Sequence, residues 1–179
     1  MSIILPYEPL ITIRDDRPTF YYNNDINNEL RAGGLIYYKL NKLTNEYDFL
    51  LIKSNNKYED FGGRTDMCDK CIEDTVAREA EEESNNIFKK DDIYKIIIDQ
   101  SFPNNKKLYT KYSKYIVYLV ETDECYDPIK FGTIEYHDNI HRTVEWISYS
   151  TITNKEFIKN KLHFRLKYKA LLDAIASIK

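Results

Sequence analysis

Three cysteines, Cys68, Cys71 and Cys125, are all that 179 residues contain. An odd count offers no disulfide framework, which excludes the small stapled secreted scaffolds and suits a reducing compartment. Cys68 and Cys71 are spaced as Cys-x-x-Cys, but no second such pair and no paired histidines follow at zinc-site spacing. Neither metal binding nor redox chemistry is therefore their expected use. Apolar runs are equally short. None approaches the roughly 18 residues of a membrane-spanning helix, and the N-terminus has acids and Tyr where a secretory signal needs a basic start and a cleavable apolar core. A soluble, intracellular, cytoplasmic protein without a membrane partner is expected. Net positive charge is lacking too: a formal charge of -3 argues against a protein that coats nucleic acid, while leaving local patches open. Internal repeats, linkers and low-complexity tails are absent from the sequence. What the chain has is apolar and aromatic material, 42% and 14% of its residues, enough for one well-cored domain and too little for two.

The most informative stretch is Phe61 to Ile87, FGGRTDMCDKCIEDTVAREAEEESNNI. A glycine pair precedes a helix opening, and Arg-Glu then leads into a dense acidic run. With Ile72 at zero and about 100° per residue, Val76, Ala77, Ala80 and Ser84 fall in a sector from roughly 0° to 140°. Glu79, Glu82 and Glu83 fall near roughly 340°, 280° and 20°, flanking or entering that apolar stripe, whereas a merely solvated run would lie opposite, near Asp74 and Glu81. Acids carried toward the body of a protein are costly, because like charges on one helix repel and a buried unpaired carboxylate costs far more. Arg78 can pair with Glu82 at i,i+4, but one guanidinium does not neutralise three carboxylates. A hard divalent cation that prefers oxygen ligands, Mg²⁺ or Mn²⁺, would.

These residues resemble a Nudix box, whose pattern is Gly, five residues, Glu, seven residues, then Arg-Glu-apolar-x-Glu-Glu-x-Gly-apolar. Arg78, Glu79, Ala80, Glu82 and Glu83 match its second half in register. The first half departs: counting from Gly63, the family's first Glu is Asp69, and eight residues separate it from Arg78. Asp69 or Asp66 is the candidate to hold Arg78 in place. The family's helix-ending Gly is Asn85, the next best residue for a left-handed backbone, and the apolar position after it is Asn86, with Ile87 one place later.

The rest of the chain fits the resemblance. Residues 1–31 form an N-terminal extension, polar apart from a short strand at Leu10 to Ile13, that is expected to help cover the substrate site. Gly33 to Leu40 and Tyr47 to Ser54, joined by a turn at Asn41 to Asn45, read as a hairpin. After the box at 62–87, Tyr94 to Ile98 reads as a strand and Leu108 to Val120 as a longer one. Asp123 to Arg142 reads as mostly irregular, and Thr143 to Ser148 as a strand. Leu162, Leu166, Ala170, Ala174 and Ile178 mark one face of a terminal helix over 161–178. That order fits the family's fold, an α/β/α sandwich around a mixed β-sheet in a single domain.

The resemblance implies a Mg²⁺-dependent pyrophosphohydrolase, with Mn²⁺ able to substitute, acting on a nucleoside diphosphate derivative or related small molecule, or on a capped RNA 5' end. It assigns Glu79 as metal ligand or general base, Arg78 as the residue orienting a carboxylate, Glu82 and Glu83 as metal ligands, and Gly63 as donor of a backbone carbonyl. A further acid is expected from the later loop, where Glu135, Asp138 and Glu145 are candidates and the first two are favoured. His137 and His141 lie in the same loop. Tyr and Phe are too abundant to single out one that stacks a base. A competing expectation is a module that keeps the fold and has lost hydrolysis. It would bind RNA or a nucleotide through aromatic surfaces and the lysines at 106, 107, 111 and 114 or between 155 and 169. The intact Arg78, Glu79, Glu82 and Glu83 argue against it.

Overall fold

Polar N-terminal runs pair with one another before the main sheet begins. The computed structural model describes residues 8–99, 101 and 104–178. It opens with a small antiparallel sheet of β1 (Ile11–Arg14), β2 (Arg17–Tyr21) and β3 (Glu29–Leu30). Asp15 and Asp16, at φ 51° and 55°, turn the chain between the first two. Next come β4 (Ala32–Asn41), β5 (Glu46–Ser54), β6 (Lys57–Glu59) and β7 (Phe61–Arg64), then helices α1 (Ile72–Glu83) and α2 (Lys90–Ile98). A hairpin of β8 (Lys106–Thr110) and β9 (Tyr115–Glu121) follows, then the short β10 (Ile134–Glu135) and β11 (Ile140–His141) and the longer β12 (Thr143–Ser148). Helices α3 (Tyr149–Ile152), α4 (Lys155–Asn160) and α5 (Lys169–Ala176) complete the described chain.

The main sheet runs β12-β5-β4-β9-β8, with β6 added to β5 and β7 to β4. Its β4–β9 pair is parallel and its other pairs antiparallel, so the sheet is mixed. Apolar residues run almost without a break through the middle of β4 and β9 because both faces are covered. Leu35, Tyr37, Ile116 and Val120 meet α1 and α2 on one face. Ile36, Tyr38, Val117 and Leu119 meet Ile152, Leu162, Leu171 and Ile175 on the other. Each fully buried Leu, Ile or Phe contributes about 1.5–3 kcal/mol. The result is an α/β/α sandwich with a mixed sheet between helical layers.

Several sequence expectations need correction. Tyr94–Ile98 is the end of α2, not a strand: Asp91 and Asp92 occupy the first turn, where acids suit the helix dipole, and Ile93 is buried while Ile96 and Ile97 pack beside it at helical spacing. The run from 108 to 120 is broken into β8 and β9 by a turn in which Lys114 adopts φ 51°. The terminal helix spans 169–176 rather than 161–178. Leu162 instead bridges to Tyr58, and the His163 side chain accepts from the Arg165 amide to cap a single 3-10 turn, so the edge of β6 competes with helix for this backbone. The N-terminal extension, whose residues 1–7 lie outside the described ones, packs beside the start of α1, where Phe20, Tyr21 and Leu30 approach Cys71 and Ile72. Among the described residues none before Ile52 lines the main cleft.

Candidate active site

The cleft is made where β7 meets α1. Strand β7 lies against the start of β4 with Gly33 opposite Gly63 and Gly34 opposite Gly62, and absent side chains set the spacing. A Cβ at Gly62 would lie 2.4 Å from the Gly34 Cα and 2.5 Å from the Gly33 carbonyl oxygen, both backbone atoms. A Cβ at Gly63 would lie 2.3 Å from Glu79 Oε2, the movable end of a side chain. The two substitutions should therefore separate. Gly62→Ala is expected to destabilise by about 3 kcal/mol, the upper range for overpacking. Gly63→Ala is expected to cost under about 1 kcal/mol in stability while displacing the Glu79 carboxylate. Urea midpoints of the two variants check this, and equal destabilisation would contradict it.

Arg78 is the hub. Its Nε donates to Asp69 Oδ1 at 2.9 Å and its Nη2 to Asp69 Oδ2 at 3.1 Å, the bidentate geometry that suits a carboxylate. Nη2 also reaches the Arg64 carbonyl at 2.8 Å, and Nη1 donates to Glu79 Oε1 and Glu82 Oε2, each at 3.0 Å. Asp69, not Asp66, holds the arginine. Its side chain is fully enclosed and accepts in addition from Thr75 Oγ1 at 2.8 Å and from the Asp66 amide at 2.7 Å. Asp66 bonds the Cys68 amide within the turn. The extra residue of the loop is thus absorbed in a turn, and a shorter acid reaches the same guanidinium.

Glu79, Glu82 and Glu83 face a cleft of about 400 Å³ together with Glu135 and Asp138. Burial raises the Glu79 carboxyl to about 7 against the pull of Arg78, with Glu82 and Asp69 adding to the rise. Burial also pushes Glu83 well above the ordinary carboxylate range, helped by Glu79 and Asp60 and opposed by the Gly62 amide, which donates to Glu83 Oε2 at 2.5 Å. Of the candidates for a further acid, Glu135 is the enclosed one, 5% exposed. Its carboxylate accepts the His137 amide at 2.6 Å and the Asp138 amide at 2.7 Å. Asp138 sits at the cleft mouth beside His137 with most of its side chain in solvent. Glu145 is not among the residues lining the cleft: it binds Lys53 at 3.2 Å and the Tyr58 hydroxyl at 2.6 Å. His141 is exposed outside the cleft lining.

Three cleft residues were missed in the sequence. Glu59 lines the cleft and pairs with Arg165 at 3.0 Å, with Asp60 fully buried beneath it and bonded by the Tyr115 hydroxyl at 2.8 Å. An acidic pair directly before Phe61-Gly62-Gly63 was the available signal. Arg142 and His163 also line the cleft, and nothing local in the sequence marks them. The lysines of the two basic segments point elsewhere: Lys107 pairs with Glu73, Lys114 with Glu29 and Lys169 with Asp173.

The donor set suits a hard divalent cation, since carboxylates dominate the cleft wall and, among the described residues, Arg78 bonds only Glu79 and Glu82 of them and Arg165 only Glu59. Arg142 donates to backbone carbonyls, Arg165 to Glu59, and Lys57 to the Asn160 carbonyl. Among the described residues no three acidic, histidine or cysteine groups already form a ligand cage.

Fold and cleft together define a mixed α/β sandwich with a carboxylate-lined site between a glycine-containing strand and a helix. No protein-family model matches the chain, and no curated protein matches its sequence. Among solved structures it is similar to the crystal structure of a C. elegans Ap4A hydrolase binary complex, at 15% identity and TM-score 0.44, over 83% of this chain and 96% of that one. A second crystal structure of C. elegans Ap4A hydrolase is similar at 16% identity and TM-score 0.44 over the same shares. A likeness at that TM-score decides nothing about the chemistry of this chain. Among the described residues no helix is long and apolar enough to cross a membrane.

Proposed function

We propose that the protein is a Mg²⁺-dependent Nudix pyrophosphohydrolase that cleaves a diphosphate linkage in a nucleotide-type substrate. One observation carries the reading: Glu79, Glu82, Glu83 and Glu135 line a single cleft, with Arg78 as the one guanidinium bonded to any of their carboxylates among the described residues. Like charge gathered against an apolar stripe is offset either by protonation, toward which Glu79 and Glu83 are pushed, or by a bound counter-ion, and four acids converging on one open cleft favour the cation. Glu82, Glu83 and the Gly63 carbonyl would hold Mg²⁺ or Mn²⁺, with Glu79 as a further ligand or as the base. With the cation bound, the site gains charge neutralisation on phosphate oxygens and a more acidic water.

The remaining work belongs to the chain. Glu79, raised to about 7 in the metal-free cleft, would accept a proton through Oε2, the oxygen that Arg78 leaves free when it bonds Oε1. Arg78, fixed by Asp69, keeps Glu79 and Glu82 turned toward the cleft. Glu135 closes the far wall, and His163, whose imidazole burial and nearby Arg165 push down to about 4, contributes a neutral ring.

A product-identity screen tests the reading. Nucleoside triphosphates, nucleotide sugars, dinucleoside polyphosphates, coenzyme A and capped RNA are each incubated with the protein and Mg²⁺ or Mn²⁺. Turnover of at least one class that stops when the cation is chelated is expected. Silence across the panel together with no detectable metal binding would overturn it in favour of a non-hydrolytic binding module.

A further inference from the structure

Two consecutive asparagines leave α1 in the left-handed region, Asn85 at φ 54° and Asn86 at φ 63°. Asparagine after glycine bears that backbone at least cost. For Asn86, which is exposed, the backbone is the whole requirement: among the described residues its side chain makes no hydrogen bond.

Asn85 is used differently. Its Nδ2 donates to the carbonyls of Phe131 and Ile134, both at 2.8 Å, and its Oδ1 accepts the Tyr136 amide at 3.0 Å. Arg142, 4% exposed, grips the same segment: Nη1 donates to the Phe131 carbonyl at 3.0 Å and Nη2 to the Glu83 carbonyl at 2.6 Å. Between these grips Gly132 adopts φ 71° and ψ -175°, a conformation closed to residues with a Cβ. Phe131 anchors one end of the segment in the core, but beyond it the backbone pairing is short, the two-residue strands β10 and β11 and the Arg142 amide on the Thr133 carbonyl, and short hairpins are marginal in water.

We infer that Asn85 is a positioning residue: with Arg142 it latches residues 131–136 to the C-terminal end of α1, so that Glu135 faces Glu79, Glu82 and Glu83. Its bearing on turnover rests on the hydrolytic reading of the cleft; the latch itself does not. The side chain that stands where a Nudix box has glycine thus has a task glycine cannot perform. Misplacing a reacting group by about 1 Å costs on the order of a hundredfold in rate, so loss of the latch should reach the chemistry without unfolding the protein.

Asn85→Gly separates backbone from side chain, since it eases the left-handed conformation and deletes only the amide. Asn86→Gly makes the same backbone change without a latch to lose. Hydrogen exchange in the metal-free protein reads the amides of His137 and Asp138, which Glu135 accepts and Asn85 does not touch. They are expected to exchange about tenfold faster or more in Asn85→Gly and unchanged in Asn86→Gly, with little change in Tm for either. On a turned-over substrate, Asn85→Gly is expected to lower kcat about 10- to 100-fold at similar KM. It should add no further loss to Glu135→Gln, as expected of residues acting as one unit. Equal exchange in the two glycine variants overturns the latch whatever the chemistry. Faster exchange with kcat unchanged overturns its bearing on Glu135. Faster exchange in Asn85→Gly, when the wild-type protein turns over nothing and binds no metal, supports the latch and removes the hydrolytic reading instead.

Discussion

Glu83→Gln is expected to lower turnover by more than the roughly 10- to 100-fold typical of residues one shell out from a metal, while leaving the metal-free protein more stable than wild type at neutral pH. Both halves follow from the same surroundings. Burial, Glu79 and Asp60 press on the Glu83 carboxyl and raise it well above its ordinary 4.5. Glutamine keeps an oxygen for the Gly62 amide and nearly the same shape, but carries no charge for a cation to bind. A carboxyl raised in the folded state favours folding fully below its unfolded value, and that contribution is lost as pH rises toward the raised value. Glutamine resembles the protonated form at every pH. The Tm difference should therefore be near zero around pH 4 and should grow in the variant's favour toward about pH 8 with chelator present. Thermal melts at these pH values, paired with turnover in Mg²⁺, check both halves. Full activity, or a variant that melts lower than wild type at the higher pH, would sink the assignment of Glu83.

What the sequence made legible followed from periodicity and spacing. The hairpin of β4 and β5, the helix α1 and the inward set of its acids rest on residues a few places apart, where local geometry decides. The apolar run Ile96-Ile97-Ile98 was misread because a short apolar stretch satisfies strand and helix alike, and the turns of Asp91 and Asp92 that settle it lie upstream. Leu162 and Leu166 are core residues as their spacing implied, but the backbone between them is claimed by Tyr58, a hundred or so positions earlier, whose carbonyl takes the His163 amide at 2.8 Å. The choice between Asp66 and Asp69 could not be made from spacing in a loop of altered length. It needed the fold to bring Thr75 and Arg78 onto one carboxylate. Arg142 and the Asn85 amide were hidden for a like reason, since each acts on partners distant in the chain.

Arg78→Met is expected to destabilise the protein by about 3–5 kcal/mol, the range for removing one partner of a buried ion pair. Methionine preserves the apolar stem and much of the volume, so a cavity does not account for a loss of that size. The charge does. Arg78 is 14% exposed and Asp69 fully enclosed, and five hydrogen bonds end on this guanidinium. Without it Asp69 keeps only Thr75, the Asp66 amide and the weak Cys68 thiol donor, and Glu79 and Glu82 lose their guanidinium beside Glu83. Arg78→Lys should recover part of the loss, because an ammonium restores charge but cannot span Asp69, two glutamates and the Arg64 carbonyl as a planar fork does. Asp69→Asn removes the stranded charge, so the double variant Asp69→Asn, Arg78→Met should lose less than the sum of the single losses, by about 0.5–3 kcal/mol. Urea unfolding of the four proteins at one pH gives the cycle. A single Arg78→Met loss below about 1 kcal/mol would place this pair with exposed ion pairs and would mean that the loop before α1 is held by its turn alone. A loss in the expected range, with the coupling concentrated on Asp69, would mean that the loop before α1 is kept in register by this one buried carboxylate.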